Sequence, residues 1–320
     1  MSILVGIPYH FSDDKYFLDV TLMSIREKLG DVDILVVTDE GTPNLTGPTR
    51  FYQTRVIGHG VGKARNVMAL YAYQKGYDCL IYMDGHMKIL SDNLHQICMS
   101  DIGQPRIVVM ENAQFPLNRL LPLIPNWSKY TLGSFLEKRT WKWGYIYSTV
   151  TRKTVMTTEP CYSISRRVIE ALLQAQGEVT SSHYWGKESF DLTVSASRLG
   201  FEITIYPNLS VGHVYKVGSP SWSSRFLEKN CVNEPFCGVL SGSVYHNGIK
   251  WSDCVYALKH YHDISNLPVD RAICDLVRVY DEHAVRSIKS FNAVAKYDLD
   301  TVYQKLQVFL SNASYGFVDS

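Results

Sequence analysis

Leu80-Ile81-Tyr82-Met83-Asp84-Gly85-His86-Met87 is a short apolar run that stops at a carboxylate, a glycine and an imidazole. Its length and its branched and aromatic residues predict a buried strand. In an open α/β sheet, ligands gather beyond the carboxyl ends of the strands. Asp84 and His86 would project together into that crevice, two residues apart on one side of an extended chain. A hard carboxylate with a neutral imidazole suits Mn2+ or Mg2+, ions that keep positions open for phosphate oxygens. The plainer alternative is a turn that Asp84 caps, with His86 an ordinary loop residue.

Strand and helix alternate on both sides of this stretch. Ile3 to Ile7 reads as a first strand ending at Pro8-Tyr9-His10. Asp13 and Asp14 offer N-cap chemistry to a helix carried by Phe17, Leu18, Leu22 and Ile25 and stopped by Gly30. Asp33 to Thr38 is a second strand, ending in Asp39-Glu40-Gly41, and Arg50 to Val56 a third. The turn Gly58-His59-Gly60-Val61-Gly62 opens a helix from about Lys63 to Gln74, and Gly76 ends it. Ser91-Asp92 cap a helix bearing Leu94, Ile97 and Cys98, and Arg106 to Met110 is a further strand. This alternation predicts an α/β fold with a Rossmann-like, mostly parallel sheet flanked by helices.

From Glu111 to Val155 the pattern breaks, with Pro116, Pro122 and Pro125 among crowded tryptophans and tyrosines, and one short helix is expected near Ser128 to Glu137. Helices are then expected over Arg166–Gln174 and Trp185–Leu199, and strands over Phe201–Tyr206 and Ser210–Val214. Lys216 to about Asn247 looks loop-rich, and helical patterns follow at Asp253–His262, Val269–Ala293 and Leu299–Asn312. The expected organisation is one large domain over 1–246, in two halves of about 1–110 and about 111–246. A small helical C-terminal subdomain over 247–320 follows.

At 320 residues the chain can bury one large core or two modest ones. A net charge of +1 gives no global bias toward nucleic acid or anionic membrane. The seven cysteines are odd in number and scattered, with no C-x-x-C pair, which argues against a zinc site or a disulfide framework and for a reducing compartment. The first residues lack the basic region of a signal peptide, and no apolar run approaches the roughly 18 residues that span a bilayer. A cytoplasmic protein without a transmembrane segment is expected.

Other constellations carry chemistry. Asp39, at the end of the second strand, is either a turn residue or an acceptor for a nucleotide base or ribose at the sheet edge that holds Asp84. The glycines before the third-strand helix are neither G-x-G-x-x-G nor a Walker pattern, so a dinucleotide fold or P-loop is unsupported. Arg65, in the first helical turn, opposes the helix dipole and so hints at an anionic partner elsewhere. Glu188 and Asp191 lie three apart on one helix face; either they complement the helix dipole, or Glu188, oriented by Asp191, acts as a general base or holds an acceptor hydroxyl. His213, in Val211-Gly212-His213-Val214, is either a core histidine or the third ligand of the metal.

Taken in order, the motifs resemble those of the glycosyltransferase-A fold, and within it the polypeptide N-acetylgalactosaminyltransferases and related family-2-like enzymes. Ile3 to Tyr9 resembles their opening strand, Ile34 to Gly41 their I-x-V-D-D-G-S strand end, and Gly62-Lys63-Ala64-Arg65-Asn66 their G-x-x-x-A-R-N helix start. Leu80 to His86 is similar to their metal-binding strand in its D-x-H form, Trp185-Gly186-Lys187-Glu188 to W-G-x-E, and Gly212-His213-Val214-Tyr215 to G-H-V-F. Pro160 to Arg166 matches G-G-x-F-x-I-x-R loosely, without its glycines.

The resemblance implies a metal site at Asp84, His86 and His213 that binds a nucleotide diphosphate. It implies donor contacts from Pro8, Tyr9, Asp39, Arg65 and Asp84, and places Glu188 in the catalytic or acceptor region. Lys216 and Trp222, in the loop after His213, would close over the diphosphate and exclude water. The expectation is a Mn2+- or Mg2+-dependent transfer of a sugar from a nucleotide-sugar donor, a UDP-sugar by resemblance, to an acceptor hydroxyl, with retention favoured over inversion. Alternatives are a sugar nucleotidyltransferase, disfavoured because Pro8-Tyr9-His10-Phe11-Ser12 lacks glycine, and a non-catalytic sugar-nucleotide-binding protein. The acceptor stays open among glycan, lipid carrier, protein and a hydroxymethylated DNA base. The last is suggested by Arg119, Lys129, Lys138, Arg139, Lys142, Arg152 and Lys153 among aromatics.

Overall fold

The computed structural model describes residues 1–10, 13, 15–38, 44–55, 60–110, 116–117, 123–125, 141–147, 150–155, 160–181, 188–214, 289–311 and 314–317. Strand β1 (Ile3–Tyr9), helix α1 (Lys15–Leu29), β2 (Asp33–Thr38), β3 (Phe51–Arg55), α2 (Val61–Lys75) and β4 (Cys79–Met83) follow one another as the alternation predicts. Then come β5 (Met87–Ile89), a 3-10 stretch over Leu94–Met99 and β6 (Ile102–Met110). Two short strands, β7 (Pro116–Leu117) and β8 (Leu123–Pro125), lead to β9 (Trp141–Tyr147) and β10 (Arg152–Thr154). The series continues with β11 (Cys161–Ser165), α3 (Arg166–Gln176), α4 (Glu188–Arg198), β12 (Ile203–Val214), α5 (Leu299–Ser311) and β13 (Ser314–Phe317).

Ten strands form the main sheet, along the path β10-β12-β6-β11-β4-β1-β2-β3, with β5 added to β12 and β7 to β6. Strands β3, β2, β1 and β4 are parallel, as read from the sequence. Beyond β4 the sheet is mixed, because β11 runs antiparallel between β4 and β6. Two reversals restore direction, so β6 and its parallel partner β12 point the same way as β4. The carboxyl ends of β1, β2, β4, β6 and β12 therefore share one edge of the sheet. Hence Asp84 and His213, far apart in sequence, meet there.

Alternate residues of each strand feed two cores, one per face. Val5, Ile7, Ile34, Val36, Ile81 and Met83 pack with Leu18, Leu22 and Ile25 of α1. Leu4, Leu35, Val37, Leu80 and Tyr82 pack with Met68, Ala69 and Ala72 of α2, Val168 and Leu172 of α3, and Leu192 of α4. The helix ends obey local chemistry: the Ser165 hydroxyl caps α3, and Gly76 and Gly177 end α2 and α3 at φ 80° and 82°.

Three local readings change. Ser91-Asp92 lead into a 3-10 stretch, not an α-helix. The two strands expected either side of Pro207 are one strand, β12, whose pairing with β6 jumps between Tyr206 and Ser210; proline cannot donate to a ladder, and the bulge absorbs it. The stretch expected to be irregular holds strands, and β13-β9-β8 form a separate three-stranded sheet. The helix expected at 128–137, the loops at 216–247 with the 246/247 boundary, and the helices at 253–288 lie outside the described residues. The described C-terminal part is helical over 289–294 and in α5. It is tied to the buried Arg198, whose guanidinium donates to Tyr297 O and Asn292 Oδ1 and whose carbonyl accepts from Lys296 N and Tyr297 N.

Candidate metal centre

Asp84 leaves β4, Gly85 and His86 form a turn, and β5 starts at Met87. The two side chains thus meet across a turn and not along an extended strand, which corrects the strand-alternation argument while keeping its outcome. β5 then pairs antiparallel with the end of β12, placing Met87 opposite His213. Val214 N donates to His86 O at 3.1 Å, so the turn and the last residues of β12 are one hydrogen-bonded unit.

The ligand atoms of Asp84, His86 and His213 all lie within 4.8 Å of one another. His213 Nε2 stands 3.5 Å from Asp84 Oδ2, and the two imidazole centroids are 4.6 Å apart. His213 is buried; Asp84 and His86 are half-buried. Burial works against the charge on Asp84, but the polar contact with His213 and the electrostatic influence of its neighbours His86, His213 and Arg65 outweigh it. The carboxyl is held below its ordinary range, in the ionised form a cation needs.

The donor set fits a divalent ion. The three donor atoms stand close enough together to share one divalent ion after small side-chain adjustments. One carboxylate and two imidazoles leave an octahedral ion three positions for other oxygens. The cluster therefore brings together all three side chains predicted as ligands.

The other predicted residues fall around or behind it. Pro8 and Tyr9 end β1 beside the turn: a methyl placed on Gly85 would lie 3.7 Å from Pro8 O. The Tyr9 ring is buried in the α1-side core, and its hydroxyl donates to Asp13 O at 3.0 Å. Asp39, Lys216 and Trp222 lie outside the described residues, as do Trp185 to Lys187.

Arg65, Glu188 and Asp191 lie in the interior. The anionic partner expected for Arg65 is Glu188, with Arg65 Nη2 3.7 Å from Glu188 Oε1, and their side chains are 1% and 0% exposed. Arg65 also donates to Tyr162 Oη at 2.6 Å and to Ser189 Oγ, and its guanidinium lies over the Tyr82 and Tyr162 rings. Asp191 Oδ2 accepts from Thr180 Oγ1 at 2.8 Å and from Ser181 N at 2.7 Å. Asn66 grips the same loop, its Oδ1 accepting from Val179 N and Thr180 N, both at 3.0 Å. The second turn of α2 and the first turn of α4 are thus locked together through buried polar contacts.

The sequence reading passed over what lies behind His86: strand β5, and the hydroxyls of Thr21 and Ser24 on α1. The available signal was a pair of hydroxyl residues three apart on the apolar face of a helix.

No protein-family model matches the chain, and no curated protein matches its sequence. Solved structures do match. The structure of GalNAc-T7 with UDP, GalNAc and Mn2+ is similar at TM-score 0.50 and 17% identity, covering 95% of this chain and 59% of that one. This chain thus spans less than two thirds of that protein's length. The mannosyltransferase PcManGT from Pyrobaculum calidifontis, in complex with GDP-Man and Mn2+, aligns at TM-score 0.42 and 10% identity over 96% of this chain and 86% of that one. The likeness to GalNAc-T7 establishes the fold: it is of the glycosyltransferase-A type, and the D-x-H group lies where the motif reading put it.

Proposed function

We propose that this chain is a divalent-metal-dependent glycosyltransferase that moves a sugar from a nucleotide-diphosphate sugar to an acceptor hydroxyl. The observation that carries the reading is the convergence of Asp84, His86 and His213 at the carboxyl edge of a glycosyltransferase-A sheet. Bound there, a divalent ion would offset the charge that builds on the departing diphosphate as the glycosidic bond breaks. Asp84 and the two histidines hold its position; Pro8 and Tyr9 border the crevice; Asp39 receives the base or ribose; Lys216 and Trp222 contact the diphosphate. A UDP-sugar is the favoured donor, a choice supported by the D-x-H and G-H-V-Y resemblance and by the UDP in the similar GalNAc-T7 structure.

The spacing of Glu188 and Asp191 on one helix face fits a catalytic pair. Their full enclosure, with Arg65 beside one and the 180–181 loop bonded to the other, favours their shaping the site over direct proton transfer. Retention is favoured by the D-x-H and G-H-V-Y resemblance and places less demand on a general base than inversion does.

The test is a thermal-shift series with Mn2+ and a set of UDP- and GDP-sugars, followed by assay of nucleoside diphosphate release. A Mn2+-dependent shift that Asp84→Ala and His213→Ala abolish is expected, with release of UDP from the matched donor. A shift unchanged in both variants refutes the site. Absence of release from every donor refutes the enzyme.

A further inference from the structure

We propose that Thr21 and Ser24 of α1 are positioning residues for the ligand His86, acting through the backbone of β5. The proposal rests on the metal reading above. Strand β5 pairs with β12 along one edge: His86 O accepts from Val214 N and Leu90 N donates to Ser210 O. In an antiparallel ladder successive residues direct their backbone groups to opposite edges. Met87 and Ile89 therefore turn theirs away from β12, toward α1, where no strand lies.

Two hydroxyls stand in for it. Thr21 Oγ1 accepts from Met87 N at 3.0 Å and shares its proton between Met87 O at 2.8 Å and Phe17 O at 2.9 Å. Ser24 Oγ accepts from Ile89 N at 3.2 Å and donates to Thr21 O at 2.9 Å. All four residues are buried, Thr21 with no exposed surface, so water is not at hand to replace either hydroxyl. A buried backbone group must find a partner. Without Thr21, Met87 would have to move to find one, and His86, bonded directly to Met87, would move with it. The spacing between His86 and His213 depends on that register.

The test measures Mn2+ affinity by electron paramagnetic resonance of the free ion, with no turnover required, alongside the melting temperature of the metal-free protein. Thr21→Val keeps the branched shape and removes the hydroxyl; Thr21→Ser keeps the hydroxyl. Outer partners of metal ligands typically hold about 10–100-fold of the affinity, so Thr21→Val is expected to weaken Mn2+ about tenfold or more, with Thr21→Ser restoring it to within about threefold. A folded Thr21→Val that binds Mn2+ like the wild type, whatever its melting temperature, overturns the proposal. Should Thr21→Val not fold, Ser24→Ala decides in the same way: weakened Mn2+ binding supports the proposal and unchanged binding overturns it. A wild-type chain that binds no Mn2+ removes the metal reading itself, a result distinct from either variant outcome.

Discussion

Replacing Glu188 with glutamine should unsettle the fold before it touches any chemistry. Arg65 and Glu188 are 1% and 0% exposed, so removing one charge takes a charged partner from the other inside the core. Breaking such a pair costs about 3–5 kcal/mol. The 3.7 Å separation is longer than a hydrogen bond, and Arg65 retains Tyr162, Ser189 and two aromatic faces. The lower end, about 3 kcal/mol, is therefore expected. At about 2–4 °C per kcal/mol for a domain somewhat smaller than this one, Glu188→Gln should lower the melting temperature by about 6–12 °C. Arg65→Met should cost a similar amount. The double variant Arg65→Met/Glu188→Leu should recover much of the loss, because well-packed apolar residues often replace a buried pair without penalty. The assay is thermal and urea denaturation by circular dichroism over the full double-mutant cycle, with donor turnover in parallel. A Glu188→Gln protein as stable as the wild type but without turnover would refute the reasoning and return Glu188 to the role of general base.

Substitutions and metal loading away from Glu188 give further measurable outcomes. Asp191→Asn should destabilise the fold by about 1–3 kcal/mol in denaturant titration, since its carboxylate accepts from both Thr180 Oγ1 and Ser181 N. Gly103→Ala should cost about 3 kcal/mol or prevent folding, because the new methyl would sit 2.0 Å from Ile97 O, which the Ser163 hydroxyl holds in place. By contrast, the nearest atoms to a methyl on Gly212 belong to the flexible Met110 side chain, which can shift where backbone cannot, and the melting curve of Gly212→Ala should move less. Mn2+ at about one hundred times its dissociation constant should raise stability by about 2.7 kcal/mol, and a chelator should reverse the gain. A melting temperature indifferent to both additions would contradict the centre.

Much of this molecule was legible as local pattern. The apolar run Leu80–Met83, the helical spacing of Phe17, Leu18, Leu22 and Ile25, and the Gly76 stop each act within a few residues. Short-range sterics and burial decide them, and their bounds fell within a few positions of those observed. The D-x-H group belongs to the same class, since its two ligands are neighbours in sequence. Arg65 was expected in a first helical turn, but α2 starts at Val61 and puts it one turn further in, so its pairing with Glu188 comes from tertiary packing and not from the helix dipole.

What only the tertiary structure decided is pairing. The position of β11 between β4 and β6 turns β12 to the direction that delivers His213 to Asp84; no residue type encodes that strand order. The same holds for β5, three residues long and too short for any periodicity, which needs β12 on one edge and the hydroxyls of Thr21 and Ser24 on the other. Composition and spacing determined which side chains could bind a divalent ion. The order of the sheet, set by long-range burial and by the requirement that every buried backbone group be bonded, decided that three of them meet.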